Sequence, residues 1–575
     1  MRMLASASIV FACACTPAQR ARPALVTTAE TSEWKRTGRY DEAVTLCRDF
    51  ARAYTGVRCE VLGTTLQGRP IVALAIRRRP DAPMILIQGG IHAGEIEGKD
   101  AGFRFLRDLL DGKVAAGALD VVSVVFIPVI NPDGHERFGP NHRPNQRGPE
   151  EAGFRTNAAR LNLNRDYVKA DSLEIQAELR VVRERDPVLL VDLHTTDGAQ
   201  FEHDISVITA PLAPRADGLE EAATALSDAV QKRLTELGHL PIPFYPSFVD
   251  DTNPHSGFGV GEAPARFSNW YVATRSRLGV LVETHSWRTY QERERSTYHT
   301  LQAIFEEATR SAPAWREAIR AADAADSRLA GSEVTLTWQN GPGNHEISFR
   351  GYAYEKRLSE LTGGPWLVYD EKTPETWSVP LYDELVPGVT VKVPTGGYIV
   401  DGGFAAAARA VLDAHGIAYF SVDETRRAVE VFRATKVTFA PPYEGRTRAQ
   451  IEGAWTAETR TLERGAIFVP IMQSHARLIL HLFEPALPDS LVAWGLFNAA
   501  FERKEYIESY VLEVAAREML NDPATRTAWD AALAANPTMS TGERLEWFAR
   551  RHPSWDERVN LVPVYRTAQD LRRRR

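Results

Sequence analysis

His92 and Glu95 stand three residues apart, where the apolar run Ile85-Leu-Ile-Gln88 ends in Gly89-Gly90 and a helical pattern begins. At that spacing two side chains share one helical face, and an imidazole beside a carboxylate is a donor pair for a tetrahedral zinc ion. A catalytic zinc site takes a third protein ligand and leaves one position open for water. His194, in Asp192-Leu-His-Thr-Thr-Asp197 just after the apolar run Pro187-Val-Leu-Leu-Val191, is the candidate third ligand. A close pair plus a distant partner, His92 and Glu95 with His194, calls for one Zn2+ per chain. An H-x-x-E pair alone recurs by chance, so the rest of the constellation carries the argument.

Metal-assisted hydrolysis needs a base for the water's proton and groups that fix the substrate. Glu283 ends the apolar run Gly279-Val-Leu-Val282, where a carboxylate is costly unless it is paired or employed, and it is the candidate general base. Its plainer use is an ion pair with an arginine such as Arg275. Asn164 and Arg165, in Leu161-Asn-Leu-Asn-Arg-Asp-Tyr167, set an amide beside a planar guanidinium, a clamp for a carboxylate. The plainer reading is a turn with a surface cation. His135, His203 and His285 receive no role, because most such histidines are hydrogen-bonded residues of a packed interior.

These groups must be held at strand ends. Glu60–Thr64 and Ile71–Arg77 flank a Gln-Gly-Arg-Pro turn and read as a strand pair. Met84–Gln88 reads as a strand followed by a helix with Ile96, Phe103, Leu106 and Leu110 at helical spacing. Val121–Ile130 reads as one buried strand ended by the turn Asn131-Pro-Asp-Gly134, and Pro187–Leu193 and Leu278–Glu283 read as two more. Strands alternating with helices predict an α/β fold with a mixed, mostly parallel central sheet covered by helices, and ligand sites at the strand ends.

In their order, an H-x-x-E pair, an Asn-Arg pair, a later His and then a Glu, these residues resemble the zinc metallocarboxypeptidases of carboxypeptidase A type, over residues 30 to 320. The resemblance implies a carboxypeptidase-like fold and a peptide substrate with a free C-terminal carboxylate. It makes His92, Glu95 and His194 zinc ligands, Asn164 and Arg165 the binders of the terminal carboxylate, and Glu283 the base. The family's upstream Arg, which polarises the scissile carbonyl, falls on Arg155 in the aromatic-basic motif Phe154-Arg-Thr-Asn157, with Arg147 as the alternative. The family also carries a mobile Tyr before the base. Here Gly257-Phe-Gly-Val-Gly261 has none at the expected distance, and Tyr271 lies nearer the Glu.

The chain has 575 residues, enough for two or three domains, and a net charge of −7 without a long basic stripe apart from Arg572–Arg575, which argues against nucleic acid as a partner. Arg2, a short apolar run and small residues around Cys13 and Cys15 resemble an export signal. Either cysteine resembles a lipoprotein cleavage site, although Val10 or Ala12 stands three before it in place of the usual Leu, so attachment to a membrane through an N-terminal lipid is one expected form. Periplasm or cell envelope is the expected location. Cys47 and Cys59 then remain as a disulfide or as two buried thiols.

The domains expected are 1–28 as signal or tether, 29–326 as the catalytic unit and 327–575 as an accessory region, β-rich and then α/β. His299–Asp326 reads as a helix interrupted by Pro313, and Glu333 to Val393 as turn-rich β structure. Gly397–Val400, Phe404–His415 and Ile417–Ser421 read as strand, helix and strand, followed by strands at Val429–Ala434 and Ala466–Ile471 and helices from Ser474 to the end. Gln473, His475, Glu484 and Trp494-Gly495 line a pocket or pack a helix on the sheet. Two other functions compete: a zinc deacylase of N-acyl amino acids, which are generally more compact enzymes, and a catalytically dead binding protein, which has no chemical need for Glu283.

Overall fold

The computed structural model describes residues 24–215 and 217–572; the leader cysteines Cys13 and Cys15 lie outside them. The strands of the first half are β1 (Val57–Thr64), β2 (Pro70–Ile76), β3 (Met84–Gly89), β4 (Ser123–Ile127), β5 (Leu189–Thr196), β6 (Ile205–Ala210), β7 (Pro241–Ile242), β8 (Phe258–Gly259) and β9 (Leu278–His285). All but β8 form one sheet in the order β1-β2-β4-β3-β5-β9-β6-β7. Its centre, β4-β3-β5-β9, is parallel, and β1, β2 and β6 add antiparallel pairings. Strands β3 and β5 are buried along their whole length, as befits a sheet covered on both faces.

The helix Glu97–Leu110 lies close on this sheet because Gly98 and Gly102 carry no side chain: an added Cβ would come within 2.6 Å of Leu193 and 2.3 Å of Phe126. That approach fixes the strand-to-helix corner holding His92 and Glu95. Cys47, on the helix Tyr40–Ala53, forms a disulfide with Cys59 on β1, their Cα atoms 5.3 Å apart, a normal span for such a bridge.

Several elements depart from the sequence reading. Val121–Ile130 is not one strand; β4 holds only Ser123–Ile127, and Asn131 caps a short helix, Pro132–Glu136, by accepting from Gly134 N–H at 2.9 Å. The helix expected from His299 starts at Tyr290, behind a capping box of Thr289 and Glu292, and runs through Pro313 to Asp326 without interruption. An internal proline costs about 3 kcal/mol, and the buried face of this helix, which includes Leu301, Phe305, Trp315 and Ile319, outweighs it.

Beyond Asp326 two long hairpins dominate. The first pairs His345–Leu358 with Pro365–Tyr382, and its second strand runs parallel to β8. The second pairs Thr425–Tyr443 with Arg446–Leu462 and belongs to an antiparallel sheet with Phe420–Ser421, Ile467–Pro470, Gly397–Val400 and Leu561–Thr567. The strand Leu561–Thr567 is buried inside that sheet, where the sequence pattern read helix, and the expected strand at Ile417–Ser421 is reduced to Phe420–Ser421. One apolar cluster joins both halves, bringing Leu86, Tyr167 and Leu190 together with Tyr398, Leu478 and Val564. Among the described residues no helix is long and apolar enough to cross a membrane.

Candidate active site

The exit of β3 and the C-terminal ends of β5 and β9 meet at one buried spot. Parallel pairing sets His194 of β5 opposite Glu283 of β9, and the β3 exit delivers His92 and Glu95 to the same end. Ligand atoms of His92, Glu95 and His194 lie within 4.8 Å of one another, and all three residues are buried. His92 Nδ1 is 3.0 Å from Glu95 Oε1, and His194 Nδ1 is 2.9 Å from Glu95 Oε2. Each ring turns its other nitrogen to an outer partner: His92 Nε2 lies 3.0 Å from Asn162 Oδ1, and His194 Nε2 lies 2.8 Å from Asp192 Oδ2. Outer partners of this kind fix the tautomer and orientation of metal-binding imidazoles. Two inward-facing imidazole nitrogens and a carboxylate are a zinc donor set, so these residues fit the ion.

The electrostatics are those of a site made for a cation. Burial pulls His92 down to about 4, a neutral ring able to offer a lone pair. Against its burial, Glu95 is held well below the usual carboxylate range by His92 and Arg143, and so stays charged. Against its burial, His194 is held well above its ordinary value by Asp192. Burial pushes Glu283 up to about 8; the neighbouring carboxylates Glu95, Asp192 and Asp197 push the same way, and His194 pulls against them. Glu283 Oε2 is buried and has no hydrogen-bond partner among the described residues. A dication on the three ligands adds positive charge beside this carboxyl and draws its pKa back down.

Arg275 does not pair with Glu283; it bonds His415 O at 3.0 Å and His475 Nε2 at 3.2 Å. Asn164 is buried, and its Oδ1 accepts Ser268 N–H at 2.9 Å. Arg165 stacks on Phe267 with its guanidinium carbon 3.9 Å from the ring centroid, and burial lowers its pKa. Arg155 reaches to 3.5 Å from Glu95 Oε1 with its side chain 36% exposed, facing the site from its open side. Arg147 turns away, to an ion pair with Glu371 and the face of Trp287.

Two groups at the site were missed in the sequence. Arg143 donates to Glu95 Oε1 at 2.7 Å; it sits among polar loop residues with no motif to single it out. Tyr245 is 38% exposed, yet its hydroxyl bonds Thr196, and burial together with the Glu283 and Glu95 carboxylates raises its pKa. A tyrosine therefore does stand near Glu283, farther upstream in the chain than the Gly257–Gly261 stretch. Phe244, in the same loop, and Phe258 join Phe349 and Trp377 of the first hairpin in one apolar cluster, so that hairpin braces the loop. Tyr271 is not this residue: it is fully buried and bonds His415 at 2.8 Å.

The unassigned histidines are interior hydrogen-bonding residues. His135 contacts the carbonyls of Ala93 and Gly38, His203 lies between Leu240 O and Arg350 N–H, and His285 stacks on Phe201 at 3.9 Å. In the second half Glu484 pairs with Arg566, and Gln473 bonds the backbone at Ala418. Both are packing contacts.

Residues 44–241 match the family model described as zinc carboxypeptidase; Glu283 lies beyond the matched stretch. No curated protein matches the chain. Among solved structures, the chain is similar to a metallo-carboxypeptidase from Burkholderia cenocepacia (16% identity, 46% of this chain and 67% of that one, TM-score 0.36). A metallo-carboxypeptidase from Pseudomonas aeruginosa in complex with (2-guanidinoethylmercapto)succinic acid gives 18% identity over 48% and 69% of the two chains, with TM-score 0.36. Carboxypeptidase A from Helicoverpa armigera gives 15% identity over 50% and 74%, with TM-score 0.36. The matched stretch, a minority of the chain, is similar to the zinc carboxypeptidases, and it contains His92, Glu95 and His194, whose donor set fits a Zn2+ ion.

Proposed function

We propose that the protein is an exported carboxypeptidase that removes the terminal residue of peptides carrying a free C-terminal carboxylate. The observation that carries this reading is the convergence of His92, Glu95 and His194 within 4.8 Å at the strand ends, with Glu283 opposite His194. Zn2+, when bound by those three residues, supplies a Lewis acid for the scissile carbonyl and lowers the pKa of a water. Glu283 takes the proton from that water and returns it to the leaving amine; its buried carboxylate oxygen, without a hydrogen-bond partner among the described residues, suits a group that must do both. Arg155 presents its guanidinium where negative charge gathers on the carbonyl oxygen, and Arg143 holds Glu95 in place. Asn164 and Arg165 bind the terminal carboxylate, Arg165 being kept planar against Phe267. Tyr245 covers the site from the loop before β8.

Export is supported by the Arg2 and apolar leader with its cysteines, and by the Cys47–Cys59 disulfide, which belongs to an oxidising compartment. Residues 29–326 form the catalytic unit in this reading, and 327–575 form the accessory region. The test is hydrolysis of a blocked dipeptide with release of the free terminal amino acid. Activity lost to a chelator and restored by Zn2+ is the expected result, and activity indifferent to chelation contradicts it.

A further inference from the structure

The second hairpin of the C-terminal region ends at the carboxylate clamp. Its turn is only Glu444-Gly445, between the paired residues Tyr443 and Arg446. Both turn residues have positive φ, 49° for Glu444 and 76° for Gly445. Two-residue hairpin turns of this kind favour Asn-Gly or Asp-Gly, and a long side chain in the left-handed region costs roughly 1 kcal/mol. A glutamate held there calls for a reason, and backbone strain of this sort gathers at working sites.

The contacts of the tip supply the reason. Glu444 Oε2 accepts the backbone N–H of Asn162 at 2.7 Å. Asn162 Oδ1 in turn accepts Asn164 N–H at 3.0 Å and lies 3.0 Å from His92 Nε2, so one loop residue links the hairpin, the clamp and a metal ligand. Arg446 forms an ion pair with Asp171 at the far side of the same loop. The Tyr443 ring stacks on Trp494, interplanar angle 17°, and its hydroxyl lies near enough to Arg165 to raise that guanidinium's pKa against its burial; Arg165 has no carboxylate partner among the described residues.

We propose that Tyr443 and Glu444, contributed by the C-terminal region, are substrate-positioning residues of the active site: Glu444 fixes the loop that carries Asn164 and Arg165, and Tyr443 aims the Arg165 guanidinium at the terminal carboxylate. The inference rests on reading Asn164 and Arg165 as that carboxylate's clamp. Arg165 is already stacked on Phe267 and donates to Asn164 O at 2.8 Å, and the Tyr443 hydroxyl bounds it from a second direction, so less side-chain freedom is lost when substrate binds. The apolar core shared by the two halves keeps the hairpin in register with the site.

Two variants of the full-length, zinc-loaded protein test it. Tyr443→Phe keeps the stack on Trp494 and removes only the hydroxyl. Glu444→Gly removes the carboxylate and relieves the turn, so a purely structural role shows in Tm and leaves KM unchanged. The expected result for each is a KM for a blocked free-carboxylate dipeptide raised roughly threefold to tenfold, as loss of one ordinary polar contact gives, with kcat within twofold and zinc content unchanged. If the wild type prefers the free acid over its amidated twin and both variants keep its KM within twofold, the proposal falls alone. If the wild type treats both substrates alike, the clamp reading falls and the proposal falls with it.

Discussion

His194 and Glu283 occupy paired positions on adjacent parallel strands, β5 and β9, at the ends where both strands leave the sheet. This register places a candidate metal ligand and a candidate base on the same side of the sheet, because side chains alternate along strands and a slip of one residue would turn one of them away. Asp192, two residues before His194 on the same face, reaches its Nε2 from behind. One strand thus supplies a ligand and the group that orients it.

Zinc affinity should report this arrangement. His194→Ala is expected to lose most of the metal, and Asp192→Asn to bind zinc roughly tenfold to a hundredfold more weakly, the usual effect of removing an outer partner of a metal-bound imidazole. Metal analysis and competitive chelation measure both. Full zinc retention by His194→Ala with near-normal turnover would remove that residue from the ligand set.

Glu283→Gln should keep zinc and fold normally, since the side chain is no metal ligand here, while losing at least about a hundredfold in kcat because an amide cannot accept the water's proton. Paired kinetics and metal analysis of this variant settle the base. More than about a tenth of wild-type turnover would assign the proton transfer to another group.

In the proposed reaction Arg165 and Arg155 are expected to act at different moments. Arg165→Ala should chiefly raise KM, because the clamp holds substrate and transition state alike. Arg155→Ala should chiefly lower kcat, by roughly a hundredfold if it behaves as other oxyanion donors do. Arg147→Ala should leave both constants nearly unchanged, its side chain being engaged with Glu371. A kcat that falls with Arg147 and not with Arg155 reverses this assignment.

Much of the site was legible in the sequence because its residues sit at strand ends, where apolar runs stop and a charged residue stands out: His92, Glu95, His194 and Glu283 all do so. Asn164 and Arg165 were legible as an adjacent pair. Tyr245 and Arg143 were not, since each lies in a loop whose path is set by tertiary contacts, the first braced by Phe349 and Trp377 from beyond residue 340. The long hairpins were legible only in part, as β structure from Glu333 to Val393 and a strand at Val429–Ala434, and their full length was hidden for another reason. Much of their length is exposed on both faces, so no alternation of apolar and polar residues marks them, and Pro374, Pro380 and Pro442 stand within their strands, where prolines normally argue against one. Pro313 misled in the same sense, a local rule overridden by the packing of a long helix.

Stability should depend on pH through buried neutral histidines. His481 is buried, and that burial lowers its pKa from 6.5 to about 4. The unfolded chain takes up that proton near pH 6.5 and the folded chain does not, so the contribution is complete above 6.5 and is lost as pH falls toward 4. His481→Gln should therefore unfold with a shallower pH dependence, its stability difference from wild type shifting by about 2 kcal/mol between pH 7 and pH 5. Denaturant unfolding at the two pH values checks this; parallel pH profiles for the two proteins count against it.

The most direct test of the whole account compares kcat/KM of the zinc-loaded protein on a blocked dipeptide with a free terminal carboxylate and on its amidated twin. A carboxylate bound by the buried Asn164 and by Arg165 should favour the free acid by at least about a hundredfold, since the amide leaves the guanidinium unpaired. Equal rates on the two substrates, with zinc bound and Glu283 intact, would contradict a carboxypeptidase.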